Sequence, residues 1–482
     1  MATDEITPNE RSGGSQLVSM EVFKGRGQSI VDLGKSAPFG WWPVVVLALV
    51  SFMDRLEQSV LAGAVPSIKE HFDVGNGMIG LVAAATSVAG LVLFVPAGRI
   101  ADRTNRTRAL ALVLVSWSLL SIGTGLAISF IMLLMMRTLI GAAGQLNNPA
   151  GSSLLADYYP GKTRTKVFAI ERYVYFLANP IGVVIGAVVA DNFGWRWVFL
   201  GLVLPGLVVA LFCWFLKEPL RGTSDRIDAM RLGQDAPATA AANEPLGDQP
   251  VDEGAASGPS MWEEIRHLWK VPTLRSLYIG QAILYFGLSG LFFFTPTFLY
   301  EDIGLDEDKA GAIAGGIGLV GVSLGVVLGI KLGNRYHRVR PGWRLTVSAL
   351  GISVGVAGVV LLALAQTLPM AVMGFGLVNV GFMIAMPNLL AAVAETTSVS
   401  SRGMSFSINQ VAINAFGAVA PSVIGFAADQ WGFNVTYACT IPPLVLAAVL
   451  LYRARAGYDR DVKAAGGVTG SEREIAGDSF MQ

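Results

Sequence analysis

Long apolar runs joined by short polar connections are the main pattern of the chain. A bilayer core about 30 Å thick requires about 20 apolar residues in a helix. Six such runs precede one long polar stretch, and six more follow it. The predicted spans lie near 42–64, 77–98, 108–128, 130–155, 166–190, 196–216, 273–299, 310–332, 344–365, 369–393, 403–428 and 433–452. The pattern predicts an all-α membrane protein with twelve transmembrane helices.

The polar stretches divide the chain further. Met261–Lys270 alternates aromatic and charged residues at helical spacing, which is typical of a helix lying on the membrane surface. The residues before it are rich in Ala, Pro, Gly and Asp, which indicates a disordered linker. The predicted division is an N-terminal segment at 1–40, a six-helix bundle at 41–217, a linker at 218–272 with a surface helix near 261–270, a second bundle at 273–455 and a tail at 456–482.

Composition agrees with a membrane protein. The chain has 482 residues, is 53% hydrophobic and only 15% charged, whereas soluble domains carry about 25% charged residues. The 35 basic and 35 acidic residues balance, which argues against a nucleic-acid-binding protein. Two cysteines within apolar runs and three histidines outside them give no metal site or disulfide framework, so we expect no cofactor and no metal.

The positive charges predict an orientation. No signal peptide precedes the first apolar run, so that run is expected to be a span with a cytoplasmic N-terminus. The connections on the same side are rich in Lys and Arg, while those on the other side hold only Lys69, Arg196 and Lys309. By the positive-inside rule, both termini are cytoplasmic. We therefore expect a multi-pass protein of the cell (inner) membrane, a monomer in contact with the lipid bilayer.

The two halves of the chain also repeat. Asp157 precedes Arg164 by seven residues, and Glu395 precedes Arg402 by the same spacing, with a Phe and an Ile in register after each arginine. A second match, which includes Asp191 and Asp429, follows in the same order with a one-residue slip. Six spans in each half with matching connections indicate parallel repeats, the architecture of many secondary transporters.

The connection between the second and third spans contains a motif. Gly98-Arg-Ile-Ala-Asp102-Arg103-Thr-Asn-Arg106 resembles the gating loop of the major facilitator superfamily. The resemblance implies a fold of two six-helix repeats and a cytoplasmic gate, in which Asp102, Arg103, Asp157 and Arg164 form a latch in the outward-open state. The implied gate residues are Gly98, Asp102, Arg103, Arg106, Asp157, Arg164, Glu395 and Arg402.

Within that superfamily the chain is most similar to the Spinster-like lipid transporters. The similarity lies in Asp54-Arg55 of the first span, in Arg137-Thr-Leu-Ile-Gly141 of the fourth, and in the Lys-Glu-Pro sequence after the sixth. The family's fourth span also carries a glutamate. Here Gly144 holds that register and Gln145 is the nearest polar residue, which leaves open whether proton coupling is retained.

Ionisable residues inside a membrane cost about 2.5–3.5 kcal/mol each on insertion scales, so they usually have a function. Asp54 lies about 18 Å along the first span, near mid-bilayer, and Glu57 is on nearly the same helix face. Either carboxylate is a candidate for proton exchange, the alternative being a static ion pair. Arg137 is expected either to bind an anionic headgroup or to pair permanently with one of these acids.

Other polar residues at membrane depth are candidates for the cavity. Glu171-Arg172 is interpreted as a structural pair, because its repeat mate in the eleventh span is Asn409-Gln410. The candidates for proton coupling or substrate contact are Asp54, Arg55, Glu57, Arg137, Gln145, Asn147, Glu171, Arg172, Gln281, Tyr285 and Asn409.

These features predict a secondary transporter working by alternating access and coupled to protons. The absence of a phosphate-binding Gly-x-x-x-x-Gly-Lys-Ser/Thr motif argues against direct use of ATP. By resemblance, the substrate is a lysophospholipid or a sphingoid-type lipid. A drug or organic-anion exporter of the same superfamily is the main alternative, and a transporter-like receptor is a more distant one. The spans contain no metal-binding or Ser/His/Asp set, so we do not expect an enzyme.

Overall fold

The computed structural model describes residues 17–23, 28–33, 35–144, 147–231, 261–337, 342–398 and 401–466. The predicted cavity residue Gln145 lies outside these ranges, as do most of the predicted linker and the end of the predicted tail. For Gly98, Asp102 and Arg103, only the helical backbone is described.

Helices make up most of the described chain. Before the linker they are α1 (Trp42–Gly63), α2 (Val65–Phe72), α3 (Asn76–Arg103), α4 (Arg106–Gly125), α5 (Phe130–Ala143), α6 (Asn147–Tyr158), α7 (Gly161–Phe193), α8 (Trp195–Phe215) and α9 (Thr223–Arg231). After it they are α10 (Met261–Lys270), α11 (Pro272–Glu301), α12 (Glu307–His337), α13 (Trp343–Ala363), α14 (Leu368–Glu395) and α15 (Arg402–Ala464). We call residues 42–231 the N-half and residues 261–466 the C-half.

Nine of the described helices are long and apolar enough to cross a membrane, namely α3, α4, α7, α8 and α11 to α15. α1 has the length but carries three charged residues, Asp54, Arg55 and Glu57. The fourth predicted span contains α5 and α6, and residues 145–146 between them lie outside the described chain. The last two predicted spans share α15, which kinks at Gly432, where φ is 74°. The chain is therefore a multi-pass helical membrane protein, and the number of crossings stays a prediction.

The N-terminal segment contains structure that the wholly helical prediction missed. β1 (Leu17–Glu21) pairs antiparallel with β2 (Gln28–Asp32). Buried side chains of this hairpin pack with Ile227 of α9, which lies inside the predicted linker. The hairpin side of this cluster consists of Met20, Val22, Val31 and Leu33. The linker thus begins with an anchored helix, and likewise α15 extends to Ala464, inside the predicted tail.

Among the described residues the halves meet mainly along two helix pairs, α3 with α15 and α7 with α12. Both seams are tightly packed at glycines. A Cβ on Gly80 would lie 2.3 Å from the Pro421 carbonyl oxygen, and one on Gly315 would lie 2.3 Å from a methyl carbon of Val184. We call the end of the molecule that holds α2 and the beginnings of α3 and α12 the α2 end. The opposite end, which holds residues 98–108 and 157–164, is called the motif end.

Candidate functional site

A buried ion pair links α1 to α5. The Nη1 of Arg137 donates a hydrogen bond to Oε1 of Glu57, and its Nη2 donates to the Glu57 backbone carbonyl at 3.2 Å. The guanidinium also lies 5.2 Å from the ring centroid of Phe199 in α8. Arg137 is 1% exposed and Glu57 5%. Of the two acids that the sequence offered as partners for Arg137, the structure brings Glu57 to it.

Asp54 lies one turn earlier on α1 and has different partners. Its Oδ1 accepts a hydrogen bond from Gln58 Nε2 at 2.8 Å, and its Oδ2 accepts one from Asn147 Nδ2 at 3.2 Å. The carboxyl group is buried, and within the described chain no ion pair joins it to a cation. Side-chain amides carry both donors and an acceptor, so these partners can hydrogen-bond the group with or without its proton.

Asn147 reaches Asp54 from the first position of α6. α5 ends at Ala143, and Asn147 is the first residue of α6. At Gly144, whose register holds a glutamate in the Spinster-like pattern, a Cβ would lie 3.0 Å from the Trp117 ring. The residue of this region that reaches Asp54 is therefore an amide and not an acid.

A second polar cluster joins α1 to α7. Ser51 Oγ donates to Glu171 Oε1 at 2.5 Å, and Arg172 Nε lies 3.2 Å from Glu171 Oε2. The guanidinium groups of Arg172 and Arg55 lie 5.8 and 5.7 Å from the ring centroid of Tyr175. Two cations therefore approach one aromatic ring, an attraction that arises from the ring quadrupole.

The predicted cavity residues of the C-half are neutral. Gln281 Nε2 donates to Asn409 Oδ1 at 2.9 Å, joining α11 to α15. The Tyr285 hydroxyl donates to the Met386 sulfur at 3.3 Å, and its ring lies 5.4 Å from that of Phe382. All the predicted cavity residues that carry charge therefore belong to the N-half.

At the motif end, Arg106 is buried, and each of its three side-chain nitrogens donates at least one hydrogen bond. Its Nε donates to Glu218 at 2.7 Å and its Nη1 to Ser153 at 2.7 Å and to Asp157. Its Nη2 donates to the Pro219 carbonyl oxygen at 3.0 Å. Every partner lies in the N-half, so this network anchors the segment after α8 to α4 and α6.

Arg164 and Glu395, two other predicted gate residues with described side chains, also pair within one half. Arg164 donates to Ser224 and Asp225 at 2.7 Å each. In the C-half, Glu395 accepts a hydrogen bond from Arg344 at 3.1 Å and another from the Tyr458 hydroxyl. Arg402 begins α15 with an exposed side chain. A latch across the halves therefore stays a prediction.

Polar contacts between the halves occur instead at the α2 end, where the sequence reasoning named no functional residue. The acids are Glu301, Glu307 and Asp429 of the C-half, and they contact residues 67–77 of the N-half. Only Asp429 had a signal in the sequence, because the repeat matches it with Asp191.

Fold and site together define a multi-pass protein with two halves that meet mainly along two helix pairs. The family model of the Major Facilitator Superfamily matches residues 47–398, and the chain belongs to this superfamily of transporters.

The individual relatives have low sequence identity to this chain. Protein spinster homolog 1 of Bos taurus is 27% identical over 340 residues, which cover 67% of this chain and 60% of that protein. A gallate transporter of Pseudomonas putida is 25% identical, with 89% of this chain and 94% of that protein covered. A solved structure of a bacterial homolog to the human lysosomal transporter Spinster, in an inward-facing and unoccupied conformation, superposes with a TM-score of 0.75. It shares 20% identity and covers 89% of this chain and 99% of that one.

Proposed function

We propose that the protein is a proton-coupled secondary transporter of a small amphiphile with an anionic headgroup, such as a lysophospholipid. In this proposal twelve helices cross the cell membrane in two six-helix bundles, with both termini and the motif end in the cytoplasm. The halves contact each other through polar groups at the α2 end, and at the motif end the described ion pairs remain within a half. Contacts that close the α2 end, with the motif end on the cytoplasmic side, support an inward-facing state. This is one of the two states of alternating access.

The observation that carries the proposal is the environment of Asp54. Its carboxyl group is buried between two side-chain amides, while the neighbouring Glu57 is held by Arg137. Protonation of Glu57 would break its ion pair and leave the buried Arg137 guanidinium without a counter-charge. A group held by neutral amides can bind and release a proton when water reaches it. We therefore assign proton coupling to Asp54 and a structural role to Glu57.

The proposed substrate class follows from the guanidinium groups of Arg55 and Arg172, which both lie near the Tyr175 ring. The side chain of Arg172 is 46% exposed, and guanidinium groups bind phosphate and carboxylate through a fork of donors. In the C-half, Tyr285, Phe382 and Met386 offer apolar and aromatic surface. An anionic headgroup near the arginines and an apolar chain against the C-half would match this distribution of charge.

A transport assay tests the assignment of Asp54. In proteoliposomes with an imposed pH gradient, Asp54→Asn is expected to abolish the acceleration of substrate flux by the gradient. Asp306→Asn is the control, because the Asp306 side chain is 64% exposed and distant in the chain from α1. Gradient-driven flux of the Asp54 variant at the rate of the unmodified protein would remove the proposed role.

An organic-anion transporter is the second candidate. It is favoured by the aromatic rings around the arginines and by the similarity to a gallate transporter along nearly the whole length of both proteins. A thermal-shift survey separates the candidates, with lysophospholipids, a sphingosine-like amine, gallate and a sugar as the ligands. Stabilisation by gallate alone would support the second candidate, and stabilisation by the sugar alone would exclude both.

A further inference from the structure

The carboxylate of Asp429 caps a helix that belongs to the other half of the molecule. Its Oδ1 accepts a hydrogen bond from the backbone N–H of Asn76 at 2.7 Å, and its Oδ2 accepts one from Gly77 at 2.8 Å. These are the first two residues of α3, and 353 residues separate Asn76 from Asp429. The first N–H groups of a helix have no partner within the helix and carry partial positive charge, so a carboxylate satisfies them well.

Two more acids of the C-half bind the same part of the N-half. Glu307 accepts hydrogen bonds from Ser67 through both carboxylate oxygens, one from the backbone N–H at 3.3 Å and one from the hydroxyl. Ser67 is the third residue of α2, so this acid also lies at a helix N-terminus. Glu301 accepts hydrogen bonds from Lys69 and, at 3.3 Å, from Asn76 Nδ2.

We propose that Asp429, Glu307 and Glu301 form a gate that holds the α2 end closed. Asp429 caps α3 and Glu307 caps α2, while Glu301 binds the side chains of Lys69 and Asn76. The inference rests on the proposed function in one respect, namely that alternating access requires this end to open. On opening, the carboxylates and the helix N-terminal N–H groups would exchange their mutual hydrogen bonds for water. The closed state would therefore lose stability when a capping acid is removed.

Two glycines allow the close approach of the two halves at the capping contact. A Cβ on Gly75 would lie 2.5 Å from Asp429 Oδ2, and one on Gly425 would lie 2.5 Å from the Asn76 carbonyl oxygen. A close fit of this kind has few intermediate positions, since packed interfaces tend to have discrete arrangements. We therefore expect the cap to break completely when the halves separate.

The repeat supplies a matched comparison residue. Asp191 occupies the position in the N-half that Asp429 occupies in the C-half. It is exposed, and in the described part of the chain it makes no hydrogen bond to the start of α12 comparable with that of Asp429. The first turn of α12 already carries Glu307 and Asp308. The gate is therefore asymmetric, and Asp191 is not part of it.

Distances between spin labels at the α2 end test the gate. The labels are placed by Asp73→Cys after α2 and Asp306→Cys before α12, in a protein with Cys439→Ser, because Cys439 is exposed and Cys213 is buried. Double electron–electron resonance then reports the population of molecules with separated halves. Asp429→Ala is expected to raise the ratio of open to closed molecules by roughly 2- to 30-fold, the effect of losing one helix cap. Asp191→Ala removes no cap and takes away a carboxylate that repels Glu307, so it is not expected to raise this ratio.

A second variant covers the case in which Asp429→Ala does not fold. Gly75→Ala keeps the acid but places a methyl group against its carboxylate, so it is also expected to raise the open population. Unchanged distance distributions in every folded variant of this set, or an equal change with Asp191→Ala, would overturn the proposed gate. The measurement needs no substrate and no pH gradient. A loss of coupling at Asp54 and a loss of the gate are therefore separate outcomes.

Discussion

Arg137 and Glu57 form an ion pair that is buried on all sides, with the guanidinium of Arg137 against the ring of Phe199. The pair joins α5 to α1, and the aromatic contact extends it to α8. Burial of two charges is costly, and their mutual attraction offsets this only while both are present.

Removing one member of this pair is therefore expected to destabilise the protein more than removing both. Glu57→Gln or Arg137→Gln alone leaves an uncompensated buried charge, and we expect each to lower the free energy of unfolding by about 3–5 kcal/mol. The double variant Glu57→Gln/Arg137→Gln is expected to lose much less than the sum of the two. Thermal and denaturant unfolding of the purified variants in detergent measures the three differences.

The same variants also test whether Glu57 has only a structural role. If the effects of the two single substitutions simply add, the two side chains do not stabilise each other in solution. If the double variant is stable but no longer transports against a gradient, Glu57 or Arg137 has a further role in transport.

Arg106 is expected to be irreplaceable by lysine. Its three nitrogens donate to acceptors in three different directions, including Glu218 and Asp157, and a single ammonium group cannot reproduce that geometry. Arg106→Lys should therefore loosen the segment after α8 and, with it, the hairpin of β1 and β2. Hydrogen–deuterium exchange of residues 17–23 and 217–231 measures the effect, and faster exchange is expected there.

Arg108→Lys is the matched control, because Arg108 has an exposed side chain that lies 5.7 Å from the Trp214 ring. Lysine can keep such a contact, so exchange at the hairpin should stay as in the unmodified protein. Equal protection in the Arg106 and Arg108 variants would mean that the buried network does not hold this segment.

The sequence predicted the long apolar helices, because each contains an apolar run that can be recognised on its own, but it did not predict α2 or α9. It also placed charge at the centre of the first span, where Asp54 and Glu57 lie buried. It could not decide which acid pairs with Arg137, because that choice depends on how α1 and α5 pack.

The features that the sequence missed depend on contacts between distant segments. Asp429 stood out only as a repeat mate of Asp191, and its cap on α3 requires the two halves to meet. The hairpin of β1 and β2 has too few residues to bury an apolar face alone, and it depends on Ile227 of α9. A short polar segment of this kind gives no strong pattern by itself.

Two neighbouring glycines of α12 test whether the seam between α7 and α12 is closed in solution. A Cβ on Gly315 would lie 2.3 Å from Val184 and 2.6 Å from the Pro180 carbonyl oxygen, whereas a Cβ on Gly316 would meet nothing within 4 Å. Gly315→Ala should therefore force α12 away from α7 and cost about 1–3 kcal/mol in the closed state, as overpacking does. Gly316→Ala should leave the seam intact. With spin labels at positions 73 and 306, only Gly315→Ala is expected to increase the population with separated halves, and equal distances in the two variants would show that the seam is not closely packed.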